Sequence, residues 1–242
     1  MRFHLSSQGA HDFPRQLTCS IMEKMKHQPV DKPINPTKIP QVRRALEHAL
    51  PGLPAQLRMA PAYPTHLLRD RSAPPDAKDA AVLVLFYRHH DQLYFPLTRR
   101  TDTLESHRGQ ISLPGGAREG EESLKATALR ETCEELAACA DNWLLLGRLT
   151  PLYVSASEYV ISPFVAYVAE RPEFVPDPVE VAELIETPLA LLLNPATVKR
   201  EEWELRGTRV NVPFYDIMGH KVWGATAMIL SELVALLREV PS

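Results

Sequence analysis

The sequence predicts an α+β fold, and three stretches carry that prediction. Residues 81–87 are a continuous apolar run of buried-strand length, followed by the polar turn His89-His90-Asp91-Gln92 and a second apolar run over 93–98, so the pair reads as a hairpin. Residues 122–140 hold neither glycine nor proline and are rich in Ala, Leu and Glu, which predicts a helix. Residues 225–239, after Trp223-Gly224, predict a closing helix. Strands and helices do not alternate as in βαβ units, so a layered α+β arrangement is favoured over a doubly wound sheet.

The other elements follow in chain order. Residues 1–40 are interrupted by Pro14, Pro29, Pro33, Pro36 and Pro40, and proline lacks the donor N–H, so this stretch reads as an arm or tail. Residues 42–50 form a short amphipathic helix ended by Pro51-Gly52, and proline-rich loop resumes over 51–76. A short strand at 111–113 is stopped by Pro114-Gly115-Gly116. Strands are expected at 143–149 and 159–168, a helical stretch broken by Pro188 over 179–193, and a hairpin through 202–205 and 209–212. The domain organisation is then an arm over 1–40, a helix and loops over 41–79, and the main domain over 80–240.

Composition excludes several classes. The chain has 242 residues, 45% of them hydrophobic, which is enough for a sizeable core. A net charge of −3 lacks the basic surplus that gripping a nucleic-acid backbone requires. Without a run of about 20 apolar residues, no helical membrane span is expected. Cys19, Cys133 and Cys139 show neither zinc spacing nor a disulfide framework, and an odd, unpaired set fits a reducing compartment, hence a cytoplasmic protein.

Chemistry concentrates between Pro114 and Ala138. At about 100° per residue, with Arg130 at zero, Glu131, Glu134 and Glu135 fall near 100°, 40° and 140°, and Leu129, Cys133 and Leu136 near 260°, 300° and 240°. One side of the helix is thus apolar and the other stacks three carboxylates. A solvated acidic face is the ordinary reading of such a helix. Three adjacent carboxylates beside a single Arg130 repel one another, however, unless a cation compensates. Hard divalent ions take oxygen ligands, and the preceding glycines let a backbone carbonyl or phosphate oxygens approach.

Gly116, Glu122 and Arg130-Glu131-Thr132-Cys133-Glu134-Glu135 resemble the Nudix box, G-x5-E-x7-R-E-U-x-E-E-x-G-U, with six fixed positions in register. Departures are Thr132 at a usually aliphatic position and Ala137-Ala138 around the late glycine. The resemblance implies a Nudix fold, a mixed β-sheet sandwiched between helices, and hydrolysis of a small-molecule diphosphate with Mg²⁺ or Mn²⁺. It implies Glu131 and Glu135 as direct metal ligands, Glu134 as a further one, and a carbonyl from Gly115 or Gly116. It also implies Glu122 supporting the metal shell and Arg130 orienting the carboxylates. The general base stays open among Glu131, Glu134, Glu158, Glu180 and Glu183.

Upstream, Leu97-Thr98-Arg99-Arg100-Thr101 and 104–116 are similar to the L-L-T-x-R-[SA]-x3-R-x3-G-x3-F-P-G-G motif of the coenzyme A pyrophosphatase branch. This implies substrate contacts from Arg100, His107, Gly109, Gln110, Gly115 and Gly116, and cleavage of coenzyme A or acyl-CoA to 3′,5′-ADP and 4′-phosphopantetheine. Glu105 stands where the motif has arginine, Thr101 replaces Ser or Ala, and Leu113 replaces Phe. Arg99, Arg108 or Arg118 would have to compensate for Glu105. Two other readings stay open: a pyrophosphatase for another nucleoside diphosphate derivative such as ADP-ribose, and a catalytically silent binding module. Family habit adds a homodimer.

Overall fold

The computed structural model of the protein describes residues 36–63, 72–101, 109–139 and 143–240. The arm over 1–35, Glu105, His107 and Arg108 lie outside the described residues. At the centre is the expected hairpin, β1 (Lys78–His89) and β2 (Gln92–Arg100). It turns through His90 and Asp91, both at positive φ (47° and 60°), as a two-residue turn matched to strand twist requires.

The β1–β2 ladder pairs Tyr87 with Tyr94, Arg88 with Leu93 and His89 with Gln92. Counting outward from His89–Gln92, every second residue of β2 directs its backbone at β1, and the next in that series is Pro96, which has no N–H to give. There the two strands part. The gap is filled by β3 (Ile111–Ser112), which pairs with β2, and β4 (Gly115–Ala117), which pairs with β1 from Ala80–Ala117 to Val82–Gly115. Leu83 N donates to Pro114 O at 2.9 Å, fixing the connection between them. The glycine loop is therefore held by the sheet on both sides.

On the far side of β1, β7 (Tyr159–Val168) runs parallel to it, and β5 (Leu144–Arg148) and β6 (Leu152–Val154) run antiparallel to β7. β8 (Val181–Pro188) covers the other edge of β2 and completes a mixed eight-stranded sheet. A second antiparallel sheet is made of β9 (Val198–Leu205), β10 (Thr208–Ile217) and β11 (His220–Val222).

Helices α1 (Ile39–Glu47), α2 (Gly52–Gln56), α3 (Leu124–Leu136), α4 (Leu189–Leu193) and α5 (Gly224–Glu239) complete the fold. Alternation along β1 sends Ala81, Leu83, Leu85 and Tyr87 against Ala128 of α3. Val84 and Phe86 face the opposite way, into a core shared with Phe95, Leu97, Ile229 and Leu233. The mixed sheet thus lies between helical layers, as expected.

Several elements differ from the sequence reading. Residues 181–188 are a strand, not helix, because Tyr94–Arg100 of β2 offers them a full antiparallel partner; only Leu189–Leu193 is helical. The first helix starts at Ile39 rather than Val42, since Pro40 lies in the first turn, where its missing N–H has no cost. The stretch read as loop over 51–76 contains α2 and a 3₁₀ turn at Leu57–Met59. Ile39, Val42, Leu46 and Met59 are buried in the same core as the main sheet. The late hairpin is longer at both strands, as β9 and β10.

Candidate active site

Helix α3 is shorter than the glycine- and proline-free run. Ser123 caps it, its Oγ accepting from Ala126 N at 3.2 Å, and it ends at Ala137 in the left-handed region (φ 53°). The last carbonyls are taken by the chain downstream: Glu135 O accepts from Asp177 N and Leu136 O from Val175 N, both at 2.9 Å. A non-glycine residue in this conformation costs roughly 1 kcal/mol. Ala137→Gly is expected to raise unfolding free energy by about 0.5–1 kcal/mol in urea titration.

The buried side of α3 comprises Thr127, Ala128, Thr132, Glu135 and Leu136. This corrects the two-sided wheel: the carboxylate face overlaps the face packed on the sheet instead of opposing it. Thr132, at the usually aliphatic position, is fully buried and donates to Ala128 O at 2.7 Å. Among the three glutamates, burial is graded. The side chains of Glu135 and Glu131 are 3% and 14% exposed, and that of Glu134 is 57% exposed.

The glycine loop explains how carboxylates fit there. A Cβ on Gly116 would lie 2.4 Å from the carboxylate of Glu131, so that space belongs to the acid. Gly115, at φ +148°, would place a Cβ 2.3 Å from Ala81 O, and its backbone N–H instead donates to Glu135. Glu135 Oε2 is buried without a hydrogen-bond partner. Burial pushes the Glu135 carboxyl up to about 8, against the opposing charge of Arg100. Burial also raises Glu131, although Arg130 opposes it.

Arg130 organises the acids. It donates to Glu122 through Nε (3.2 Å) and Nη2 (2.9 Å), to Glu134 Oε2 through Nη1 (2.8 Å), and to Ala117 O (3.2 Å). The same Nη1 pairs with Glu131 Oε1 at 2.9 Å. Glu122 also accepts from Glu119 N and Thr127 Oγ1, and the Arg130 hydrogen bonds in first place hold its carboxyl down to about 2. Glu122 thus ties loop to helix.

Among the described residues no three acidic, histidine or cysteine side chains close into a metal cage, since Glu131 leans on Arg130. The donor set nevertheless fits a hard divalent ion. It offers a buried carboxylate oxygen with no partner and a second carboxylate seated over a glycine.

Arg100 Nη1 reaches Glu135 Oε1 at 4.0 Å, and its Nε is buried without a partner. Gln110 O accepts from Arg100 N at 3.1 Å and Gly109 turns at φ 64°, so both lie beside Arg100. Thr101 departs from the motif to a purpose: its hydroxyl donates to Val179 O at 2.8 Å and its N–H to Glu180 O at 3.0 Å. Glu180 lies close enough to raise both Glu131 and Glu135. Glu183 is engaged elsewhere, with Arg99 at 3.0 Å and His220 at 3.4 Å. Glu158 lies in the β6–β7 turn, its carbonyl accepting from Lys78 N. Of the cations named to compensate Glu105, Arg99 is paired with Glu183 and Arg118 with Asp79 at 3.3 Å.

Cys133 and Cys139 form a disulfide, contrary to the expectation of unpaired thiols. On an unbroken helix they would stand about 240° apart. The reversal at Ala137 brings their Cα atoms to 4.7 Å. The aromatics of the second sheet pack among themselves: Phe214 and Tyr215 are buried, and Trp203 stacks on Phe214 and meets Trp223 edge-on.

Among the described residues no helix is long and apolar enough to cross a membrane. Residues 77–205 match the family model of the NUDIX domain. The chain is similar to two proteins bearing the name uncharacterized Nudix hydrolase NudL. The one from Photorhabdus laumondii subsp. laumondii is 37% identical over 138 residues, 57% of this chain and 73% of the relative. The one from Pectobacterium atrosepticum is 37% identical over 170 residues, 68% of this chain and 85% of the relative. The crystal structure of RenU, a Nudix hydrolase from M. smegmatis, aligns with 69% of this chain and 89% of its own at 18% identity and a TM-score of 0.49. The chain belongs to the Nudix family, enzymes that hydrolyse small-molecule diphosphates with the help of divalent metal ions.

Proposed function

We propose that this chain hydrolyses the diphosphate of coenzyme A or its acyl derivatives to 3′,5′-ADP and a 4′-phosphopantetheine product, with Mg²⁺ or Mn²⁺. The observation that carries the reading is Arg100. It holds the arginine position of the upstream motif, and its guanidinium stands 4.0 Å from Glu135 with a buried Nε lacking a partner. Such a group offers paired N–H donors to a phosphate oxygen.

In this reading Glu131 and Glu135 hold the metal, with Glu134 at the exposed margin and a carbonyl from Gly115 or Gly116 completing the set. A bound divalent ion supplies neutralisation of the charge that grows on the diphosphate oxygens. Arg130 keeps Glu122, Glu131 and Glu134 at fixed spacing, so the acids are oriented before substrate arrives. Arg100 draws the diphosphate toward the acids, with Gly109 and Gln110 beside it, and His107 joins them by its place in the motif alone. Glu180 takes the proton of the attacking water. Its support over Glu158 and Glu183 is its electrostatic reach to Glu131 and Glu135.

Glu105 favours a second reading, hydrolysis of another nucleoside diphosphate such as ADP-ribose, because a carboxylate repels the 3′-phosphate of coenzyme A. A panel of coenzyme A, acyl-CoA, ADP-ribose and dinucleotides, run with each metal and with products identified by mass, decides between them. Turnover of coenzyme A to 3′,5′-ADP is expected. Turnover of ADP-ribose without coenzyme A would replace the first reading by the second.

A further inference from the structure

Strand β8 is antiparallel to β2, so Val181 lies beside Arg100 and Pro188 beside Tyr94. At about 3.3 Å per residue, the Pro188 end lies roughly 20 Å along β2 from Arg100. Helix α4 continues from that end, on to a recess of about 190 Å³ lined by Leu192, Asn194 and Tyr215, with Arg58, Arg200 and Arg238 around it. Ser231 and Arg238 come from α5, which serves the other face of the sheet from α3.

The three arginines come from separate elements: the 3₁₀ turn after α2, strand β9 and the last turn of α5. Among the described residues none of them meets a carboxylate, whereas Arg99, Arg118, Arg130 and Arg171 each do. In a chain of net charge −3, three exposed arginines lining one recess, none of them paired with a carboxylate among the described residues, form a local positive patch that attracts an anion. Within the recess, the Tyr215 side chain is buried, and the charges of both Arg58 and Arg238 bear on its hydroxyl. The recess is smaller than the roughly 300–1,000 Å³ that drug-sized ligands occupy. It suits one tetrahedral oxyanion, which guanidinium forks bind through paired N–H donors.

We propose that this recess binds the phosphate group of a small soluble phosphomonoester, at a site separate from the diphosphate-cleaving carboxylates. The test is calorimetric titration of inorganic phosphate into the full chain, with chelator present and ionic strength held constant. Saturable binding is expected, weakened roughly tenfold or more in the Arg200→Gln/Arg238→Gln double variant, with melting curves verifying that the variant is folded. Arg58→Gln alone is expected to weaken it less, and Glu135→Gln, at the other site, to leave it unchanged. The proposal is overturned if phosphate shows no saturable binding, if the double variant binds as tightly as the parent, or if Glu135→Gln abolishes binding. Capture by phosphatidic acid vesicles without binding of free phosphate would equally overturn it, in favour of a lipid surface.

Discussion

Glu135→Gln is expected to lower diphosphate hydrolysis by more than about 100-fold while making the metal-free protein more stable at alkaline pH. The activity estimate follows from rank: groups that merely support a metal ligand are worth about 10–100-fold, so a direct ligand should exceed that. The stability gain follows from burial. The Glu135 carboxyl is held up to about 8, whereas the ordinary value is 4.5. Below about pH 4.5 the acid is neutral in both folded and unfolded chains and has no effect. Between 4.5 and 8 the unfolded chain releases the proton first, so stability falls as pH rises, and above 8 the loss is complete. At about 1.4 kcal/mol per pKa unit, the ionised group destabilises the metal-free fold by on the order of a few kcal/mol. The glutamine variant carries no such charge. Urea titrations across pH 4–9 should therefore show the two proteins diverging toward high pH. Metal uptake by the parent below pH 8 should also release protons, measurable by calorimetry in buffers of different ionisation enthalpy. An unchanged hydrolysis rate, or parallel stability curves, would remove Glu135 from the proposed metal set.

Why Glu135 could be singled out before any coordinates is a matter of locality. Glu122, Arg130, Glu131, Glu134 and Glu135 lie within fourteen residues whose mutual geometry is set largely by helix period, and the loop before them announces itself by Gly115-Gly116. What was illegible depends on partners far along the chain. Residues 181–188 read as helix because Ala, Glu and Leu favour it locally, yet β2 supplies a backbone partner along their whole length. The same non-local pairing turned Gly115–Ala117 from a turn into a strand on β1, and brought Glu180 to Thr101 and the acids. The wheel misjudged which side of α3 is buried because periodicity assumes that a buried face is apolar. Here the buried face carries Glu135 and Thr132. Spacing and an odd count point to unpaired cysteines, but the reversal at Ala137, which neither signal carries, is what brings Cys133 and Cys139 together.

Glu232 was missed at sequence level, although an acid inside the apolar run of α5 is itself a signal. Its replacement by alanine is expected to cost about 3–5 kcal/mol of stability. The side chain is fully buried. It accepts from Gly52 N (3.1 Å), Gln56 Nε2 (2.8 Å), Thr150 N (3.2 and 3.3 Å) and Thr150 Oγ1 (2.7 Å). One carboxylate therefore joins α5 to the start of α2 and to the β5–β6 connection, across separations of 82 to 180 residues. Alanine strands those donors in the core, and each unsatisfied buried group costs roughly 1–3 kcal/mol. Glutamine should do less harm, about 1–3 kcal/mol, because its amide oxygen keeps some of the bonds while its NH₂ faces donors. Gln56 can relieve part of that conflict, since its own Oε1 has no partner, but rotating the amide would give up the 2.8 Å bond from Nε2 to Thr150 O. Urea titration of both variants checks the order, with the midpoint falling further for Ala than for Gln and the slope unchanged. A loss below about 0.5 kcal/mol for Glu232→Ala, the range of ordinary surface substitutions, would mean that the packing around α1 and α2 holds this region without the carboxylate.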